Sequence, residues 1–229
     1  IVNKKINQKN TTHALILARG SSKGIKNKNL IKIKNKPLVY WSISKSIKSK
    51  KIDYTWVSSD SKKILNVSAK FGAKTIRRPK KLAADNSISE TGWIHAINHI
   101  KKNYKIKTVV AIQPTSPIRY KDDFDNAITI FTKKKLDSLF SCNKVHKQNI
   151  WIYKNKILSA NYDTKKKRIS RHLEVPHYNE NGSFWIFNVN KFLKHKKRLF
   201  GKIGNYTMPK KCGFQIDDYL DLKIIKTLI

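Results

Sequence analysis

Cysteine is scarce in this sequence, and long hydrophobic runs are missing. Two cysteines in 229 residues, Cys142 and Cys212, are too few and too far apart for a disulfide framework or a zinc site, and they fit a reducing compartment. No apolar run approaches the roughly 18 residues that cross a bilayer, and the run over residues 13–18 is too short for the core of a signal peptide. We therefore expect a cytoplasmic protein with no membrane partner.

Acidic residues are scarce as well. The chain has 14 Asp and Glu and 50 Lys and Arg, which gives a formal net charge of +36. Such an excess is typical of proteins that bind nucleic acid or an anionic membrane. Only seven of the 50 are Arg, however, and lysines recur on nearly every segment alongside many Ile and Asn, as a drift in base composition produces. Specific base contacts favour Arg, because its fork bonds bidentately. We expect nonspecific, salt-sensitive attraction to nucleic acid and no specific nucleic-acid partner.

Two common glycine motifs for holding phosphate are also missing. A Walker loop needs four residues between its glycines and then Gly-Lys-Ser/Thr, whereas three residues separate Gly20 from Gly24 and Ile25 follows. The dinucleotide fingerprint Gly-x-Gly-x-x-Gly does not occur at this loop either. These absences argue against a Walker ATPase and against a nicotinamide enzyme.

What the chain does have is a basic loop, residues 18–29, directly after its first apolar run. The loop contains Gly, Ser, one Arg and three Lys. Amides and hydroxyls donate hydrogen bonds to phosphate, and cations balance its charge. The loop therefore predicts a nucleotide site, although taken alone it equally fits a solvated basic loop between a strand and a helix.

Strand-like and helix-like patterns alternate through the first two thirds of the chain. They predict strands over 13–18, 54–58, 73–76, 108–112 and 138–142, and helices over 38–47, 62–71, 87–102 and 122–132. This alternation indicates an α/β fold with a mostly parallel, Rossmann-like sheet and helices on both faces. Ligands bind such sheets at the carboxyl ends of the strands, where the loops 19–29, 58–60 and 113–119 leave the predicted strands.

We expect a single domain over residues 1–229, with a flexible tail over residues 1–12. Because the first residue is Ile1 and not Met, the natural start is expected to lie upstream. Residues 145–188 carry short alternating aromatic runs, which predict a small antiparallel excursion that serves as a lid or a dimerisation arm.

Five motifs follow one another along the chain. They are Ala18-Arg19-x-x-Ser22-Lys23-Gly24-x-x-x-Lys28-Asn29, Arg78-Pro79-x-x-Leu82-Ala83-x-Asp85, Gln113-Pro114-Thr115-Ser116-Pro117-x-Arg119, Asn181-Gly182-Ser183-Phe184-Trp185-Ile186 and Ile216-Asp217-Asp218-x-x-Asp221. In this order they resemble those of the acylneuraminate cytidylyltransferases, the CMP-sialic acid synthetases, nearly from end to end.

The resemblance implies attack by the anomeric hydroxyl of a keto-deoxy sugar acid on the α-phosphate of CTP, giving a CMP-sugar and pyrophosphate. The acceptor would be sialic acid or an analogue such as legionaminic or pseudaminic acid. This chemistry requires mainly positioning and charge neutralisation. The resemblance also implies Mg²⁺ as cofactor and a homodimer. Two alternatives stay open: a nucleotide-binding homologue with weakened catalysis, and a nonspecific nucleic-acid-binding protein.

The resemblance, together with the chemistry and position of residues in the chain, predicts site residues. The predicted nucleotide-binding residues are Leu17, Ala18, Arg19, Ser22, Lys23, Lys28, Asn29 and Ala84. The predicted substrate-binding residues are Gln113, Thr115, Ser116, Arg171 and Asp60, where Arg171 equally fits a solvated surface residue and Asp60 a helix N-cap. Arg19 and Lys23, which would hold the triphosphate, are predicted to be catalytic together with Asp217. Arg119 fits a brace of its own loop.

The candidate magnesium ligand is Asp217, because Mg²⁺ prefers carboxylate oxygens. Here the chain departs from the Asp-Ile-Asp pattern of the family's sialic acid members, since its first position is Gln215. A neutral amide supplies no charge. Either Asp217 binds the metal largely with substrate phosphates and water, or Asp218 or Asp221 assists; both also fit first-turn residues of a helix.

Overall fold

The computed structural model describes residues 7–22, 24–146, 149–167, 170 and 175–229. Within these residues the strands are β1 (Asn7–Leu17), β2 (Lys32–Ile33), β3 (Lys36–Pro37), β4 (Tyr54–Ser59), β5 (Lys74–Arg77), β6 (Tyr104–Ile112), β7 (Ser138–Val145), β8 (Trp151–Lys154), β9 (Ile157–Ala160), β10 (His177–Asn188) and β11 (Ile203–Met208). The helices are α1 (Leu38–Ile47), α2 (Lys62–Lys70), α3 (Ser89–Ile100), α4 (Asp123–Lys133), α5 (Val189–His195) and α6 (Tyr219–Leu228). No helix of the described part is long and apolar enough to span a membrane.

Seven strands of the described chain form one sheet, in the order β11-β7-β10-β6-β1-β4-β5. Strand β1 pairs in parallel with β4 and β6, β4 pairs in parallel with β5, and β7 with β11. Only β10 among these strands is antiparallel to its neighbours, β6 and β7. The predicted mostly parallel α/β sheet is confirmed.

Helices cover both faces of this sheet. On one face, α1, α2, α4 and α6 contribute to a core that contains Phe124 and Ile225, and on the other α3 and α5 contribute Trp93 and Phe192. Neighbouring residues of β6 alternate between the two cores, as successive side chains of a strand must. Burial on both faces explains why the central strands are continuous apolar runs in the sequence.

Strand β1 is longer than its apolar run predicts, because it begins at Asn7. The added residues are polar, and their pairing with β6 is irregular, with register shifts between Asn7 and Thr12. Thr11 is nevertheless buried, and its hydroxyl donates a hydrogen bond to the Lys105 carbonyl at 3.3 Å. The prediction of a flexible tail is therefore wrong for residues 7–12, while residues 1–6 lie outside the described residues.

The predicted excursion over residues 145–188 is partly wrong. Strand β10 is an integral member of the main sheet, where Trp185 pairs with Ala111 of β6 and with Phe140 of β7. Alternating aromatic residues indicate a strand but not its neighbours, since those lie far away in sequence. Among the described residues of 145–188, the β8–β9 hairpin stands apart from the main sheet as a two-stranded sheet of its own. Its role as a lid or dimerisation arm stays a prediction.

A buried histidine sits at the amino-terminal side of the sheet. His13 is fully buried, and its Nδ1 accepts a hydrogen bond from the Trp56 indole at 3.0 Å. An indole N–H can only donate, so the proton of neutral His13 lies on Nε2, 2.7 Å from the Thr11 hydroxyl. Burial, opposed by Asp53 and reinforced by Lys74, lowers the pKa of His13 from 6.5 to about 4.

This histidine predicts a loss of stability in mild acid. The native state holds His13 neutral, whereas the unfolded chain takes up the proton below its ordinary pKa of 6.5. Neutral His13 therefore makes its full contribution to the free energy of unfolding above pH 6.5, and this contribution is lost as the pH falls towards 4. At pH 5 the free energy of unfolding is lower by about 2 kcal/mol. Denaturant unfolding at pH 7 and pH 5 measures this change in the free energy of unfolding. The His13→Gln variant should lose this part of the pH dependence, and the control His146→Gln, at an exposed position, should keep it.

Candidate functional site

A cleft of about 370 Å³ opens at the carboxyl ends of β1 and β6, beside the start of α3. Nine of the predicted site residues, all within the described ranges, line it: Leu17, Arg19, Ser22, Lys28, Asn29, Ala84, Gln113, Thr115 and Asp217. Sequence motifs that lie as much as 200 positions apart therefore meet around one space.

Five predicted site residues are not seen in the cleft wall. Lys23 and Arg171 lie outside the described residues. Ala18 is buried and its amide donates to the Ser58 carbonyl at 3.0 Å, so that N–H is not available to a ligand. Ser116 is fully buried beneath its loop. The remaining residue, Asp60, does not line the cleft.

Asp60 instead supports the basic loop from behind. Its Oδ1 accepts a hydrogen bond from the Gly20 amide at 2.8 Å. The N-cap of α2 is the next residue, Ser61, whose side chain accepts from the Ile64 amide. The interpretation of Asp60 as a helix cap is wrong, and its carboxylate is used to hold the backbone of the basic loop.

The basic loop is tied to two distant segments. Arg19 Nη1 lies 2.6 Å from Asp85 Oδ1, and both side chains are partly exposed. Lys28 is nearly buried, and its Nζ donates to the Ile216 carbonyl at 2.8 Å and to Asp217 Oδ1 at 3.1 Å. These contacts hold the loop between the second motif and the C-terminal motif.

Gly24 is required by the same approach of the loop to the C-terminal segment. A Cβ atom built on Gly24 would collide with the backbone carbonyl oxygen of Asp217. Only glycine lets two backbones come this close. The glycine of the first motif therefore serves the contact with Asp217, besides any contact with phosphate.

Arg78 of the second motif is a cleft residue that the sequence did not predict to belong to the site. It lines the cleft with 4 % of its surface exposed, and its Nε has no hydrogen-bond partner among the described residues. Burial lowers its pKa, an effect that Asp60 opposes and Arg19 reinforces. A buried guanidinium at a cleft, with an N–H that no described residue accepts, is suited to an anionic ligand. Its position in the second motif was the sequence feature that could have indicated a role at the site.

Arg119, by contrast, is a structural brace. It is fully enclosed and donates to the hydroxyls of Ser183 and Ser42 and to the carbonyls of Gln113 and Ser183, all at 2.8–3.0 Å. Burial lowers its pKa to about 9. The prediction that Arg119 braces the 113–119 loop is confirmed.

Two tryptophans form an apolar wall of the cleft, and sequence patterns did not indicate this. Trp93 of α3 and Trp185 of β10 both line it. Arg198 stacks on Trp185 at 4.9 Å from the ring centroid and pairs with Glu90 at 2.8 Å. The wall is thereby held from behind by a cation and its carboxylate partner.

Of the three C-terminal aspartates, Asp217 alone lines the cleft, with its side chain 75 % exposed. Asp218 caps α6, where its Oδ1 accepts from the Asp221 amide, and Asp221 accepts from the amides of Asp217 and Asp218. The alternative that Asp218 or Asp221 assists a metal is thus disfavoured, since both carboxylates serve the helix cap. Nowhere in the described ranges do three His, Cys, Asp or Glu side chains come together to hold a metal ion.

Comparison with known proteins places these residues in context. Residues 13–224 match the family described as Cytidylyltransferase. The chain is 29% identical over 219 residues to the N-acylneuraminate cytidylyltransferase of Escherichia coli, an alignment that covers 94% of this chain and 51% of that protein. It is 29% identical over 227 residues to the CMP-N,N'-diacetyllegionaminic acid synthase of Campylobacter jejuni, covering 93% of each.

A solved structure shares the fold. The CMP:2-keto-3-deoxy-manno-octonic acid synthetase complexed with CTP superposes with a TM-score of 0.72, over 95% of this chain and 98% of that one. The two sequences are 13% identical, so the likeness concerns the architecture. The chain spans about half the length of the Escherichia coli relative, and nearly all of the Campylobacter jejuni one.

Proposed function

The chain belongs to the cytidylyltransferase family, whose members include the acylneuraminate nucleotidyltransferases, and we propose that it transfers CMP from CTP to a keto-deoxy sugar acid. The anomeric hydroxyl of the acceptor attacks the α-phosphate and loses its proton to solvent. The new oxygen–phosphorus bond forms as the bond from the α-phosphorus to the bridging oxygen of the β-phosphate breaks, and pyrophosphate leaves with that oxygen. One observation carries the proposal: a single cleft is lined by cations, an exposed carboxylate and a neutral polar loop.

The cationic side chains of the cleft fit the triphosphate. Arg19, Lys28 and Arg78 line the cleft, and in the free protein two of these cations contact carboxylates, Asp85 and Asp217. Phosphate oxygens accept charge-assisted hydrogen bonds from such groups, and arginine bonds them bidentately. We propose that these three cations bind the phosphates and stabilise the charge that develops on the departing pyrophosphate.

The neutral polar residues of the cleft fit the acceptor. Gln113 and Thr115 present an amide and a hydroxyl, and Pro114 between them stiffens the backbone. Uncharged donors and acceptors of this kind suit a polyhydroxylated sugar. We propose that this loop orients the acceptor beside the α-phosphate, and that Asp217 holds Mg²⁺ together with phosphate oxygens of CTP. The ion, when bound, neutralises phosphate charge.

A panel of acceptors tests the proposal. Pyrophosphate release is measured with CTP, Mg²⁺ and, in turn, sialic, legionaminic, pseudaminic and eight-carbon keto-deoxy sugar acids. We expect turnover with at least one of them, and the preferred acceptor names the substrate. Absence of turnover with every acceptor would contradict the proposal and favour a homologue that binds nucleotide without catalysis. The homodimer and the cytoplasmic location stay predictions.

The candidate metal ligand has its own prediction. Asp217→Asn removes the charge of the one C-terminal carboxylate in the cleft, so the Mg²⁺ concentration that gives half-maximal turnover should rise about tenfold or more. A magnesium titration at saturating CTP measures the change. The matched control is Asp218→Asn, which keeps the helix cap because asparagine caps as well as aspartate. An unchanged titration in Asp217→Asn would assign the ligand role elsewhere.

A further inference from the structure

We infer that Gln215 is a positioning residue that fixes the side chain of Gln113, so that the acceptor must offer a hydrogen-bond donor at this point of the cleft. The nature of the acceptor rests on the proposed function. The orientation of the two amides rests only on the hydrogen bonds of their own side chains.

The orientation starts at a backbone carbonyl, the oxygen of Asn181. A carbonyl oxygen only accepts, so the Gln215 atom 2.9 Å from it must be the donor Nε2. The other end of that amide, Oε1, lies 3.1 Å from Gln113 and accepts a hydrogen bond there. Gln113 therefore directs its Nε2 towards Gln215.

Gln113 has then used both of its N–H donors. One is given to Gln215 Oε1 at 3.1 Å, and the other to the Thr115 hydroxyl at 3.0 Å. The polar atom of its side chain that remains is Oε1, for which the described residues provide no donor. Because Gln113 lines the cleft, this acceptor is available to a ligand.

The surroundings hold Gln215 in place. Asn181 is buried, and its own side chain accepts from the Ser141 hydroxyl and the Ser183 amide. Gly182 has a φ of +63°, and a Cβ atom there would lie 2.6 Å from Gln215 Nε2. The Ile216 amide donates to the Thr115 carbonyl at 2.9 Å, which joins the same two segments. The positions of both glutamines are thus determined by the fold.

This arrangement specifies the chemistry of the acceptor beside Gln113. A hydroxyl or an acylamino N–H can donate to Gln113 Oε1, whereas the ionised carboxylate of a keto acid is repelled there and must lie elsewhere in the cleft. The Oε1 and Nε2 atoms of Gln215 are also both used in hydrogen bonds. The negative charge that this C-terminal segment can offer to a bound cation is therefore that of Asp217.

The kinetic test uses Gln215→Met, Gln113→Ala and the double variant. Gln215→Met should raise the KM for the acceptor about tenfold, the value of one lost hydrogen bond, and leave the KM for CTP within about twofold. The double variant should be no worse than Gln113→Ala, because Gln215 acts through Gln113. A deoxy or N-methylated acceptor analogue lacks this hydrogen-bond donor. It should be a poorer substrate than the parent acceptor for the wild type, but not for Gln215→Met. Equal rises in both KM values, or independent effects of the two substitutions, would overturn the inference.

Thermal unfolding of the same four proteins separates this inference from the proposed function, since it needs no substrate. The loss of Tm in the double variant should be clearly smaller than the sum of the two single losses. Additive losses would reject the link between the two amides even in an active enzyme. If the wild type turns over no sugar acid, the proposed function fails, and the Tm comparison still decides the link.

Discussion

Turnover of the Arg19→Ala variant is expected to be about a hundredfold or more below that of the wild type. Arg19 stands at the start of the basic loop, lines the cleft, and is held by two contacts: its guanidinium pairs with Asp85, and its carbonyl accepts from the Asn29 side chain at 2.9 Å. Alanine keeps the backbone contact. The expected loss therefore reports the guanidinium and its transition-state contact with phosphate, with the loop still in place.

The matched control for this prediction is Lys26→Ala. Lys26 lies on the same loop and carries the same charge, but it is exposed and does not line the cleft. Its removal should change turnover less than about twofold at moderate salt, because charges in bulk solvent are screened. Initial rates of pyrophosphate release compare the three proteins. Wild-type rates in Arg19→Ala would remove this residue from the phosphate site.

The Arg78→Met variant is expected to bind CTP about tenfold to a hundredfold more weakly and yet to unfold at a higher temperature. Arg78 is a buried cation whose Nε has no hydrogen-bond partner among the described residues, and its lowered pKa shows that the charged form is disfavoured. Replacing such a group by an apolar one of similar volume commonly stabilises a fold, here by an expected 2–4 °C or about 1 kcal/mol. The charge of Arg78 is thus expected to cost the free protein stability and to contribute to ligand binding.

Two measurements test this prediction, and they should change in opposite directions: the affinity for CTP falls and the Tm rises. Calorimetric titration with CTP gives the affinity, and thermal unfolding without ligand gives the Tm. The neighbouring residue supplies the control, since Arg77→Met removes an exposed arginine at the end of β5 and should change neither quantity appreciably. A variant at Arg78 that is less stable, or that binds CTP normally, would contradict the assignment of Arg78 to the anion site.

Much of the fold follows from local sequence patterns. The helix predicted over 38–47 is α1 with the same bounds, and α3, predicted over 87–102, is Ser89–Ile100. The placement of β10 between β6 and β7 could not be predicted in this way, because strand neighbours are decided by packing between distant segments. The polar start of β1 was missed for a related reason, since its pairing partner and not its own composition makes it a strand.

The candidate site, too, could be predicted from the sequence only in part. Motifs and a family resemblance identified the loops that meet at the cleft, including Asp217 and Gln113. The roles of Arg78 and Gln215 depend on what surrounds them: Arg78 on the lack of a partner for its Nε, and Gln215 on a hydrogen bond to a residue 102 positions earlier. Sequence spacing carries no information about such pairs. The identity of a residue indicated its chemistry, and the fold decided its use.

The contacts of Lys28 with Ile216 and Asp217 have a consequence for biosynthesis. The loop that follows β1 emerges early from the ribosome, but the segment that supports it, and against which Gly24 packs, is made almost 190 residues later. A nascent chain that already contains the whole parallel part of the sheet still lacks this support. The nucleotide site that we propose should therefore form only once the C-terminal segment through residue 217 has folded against this loop.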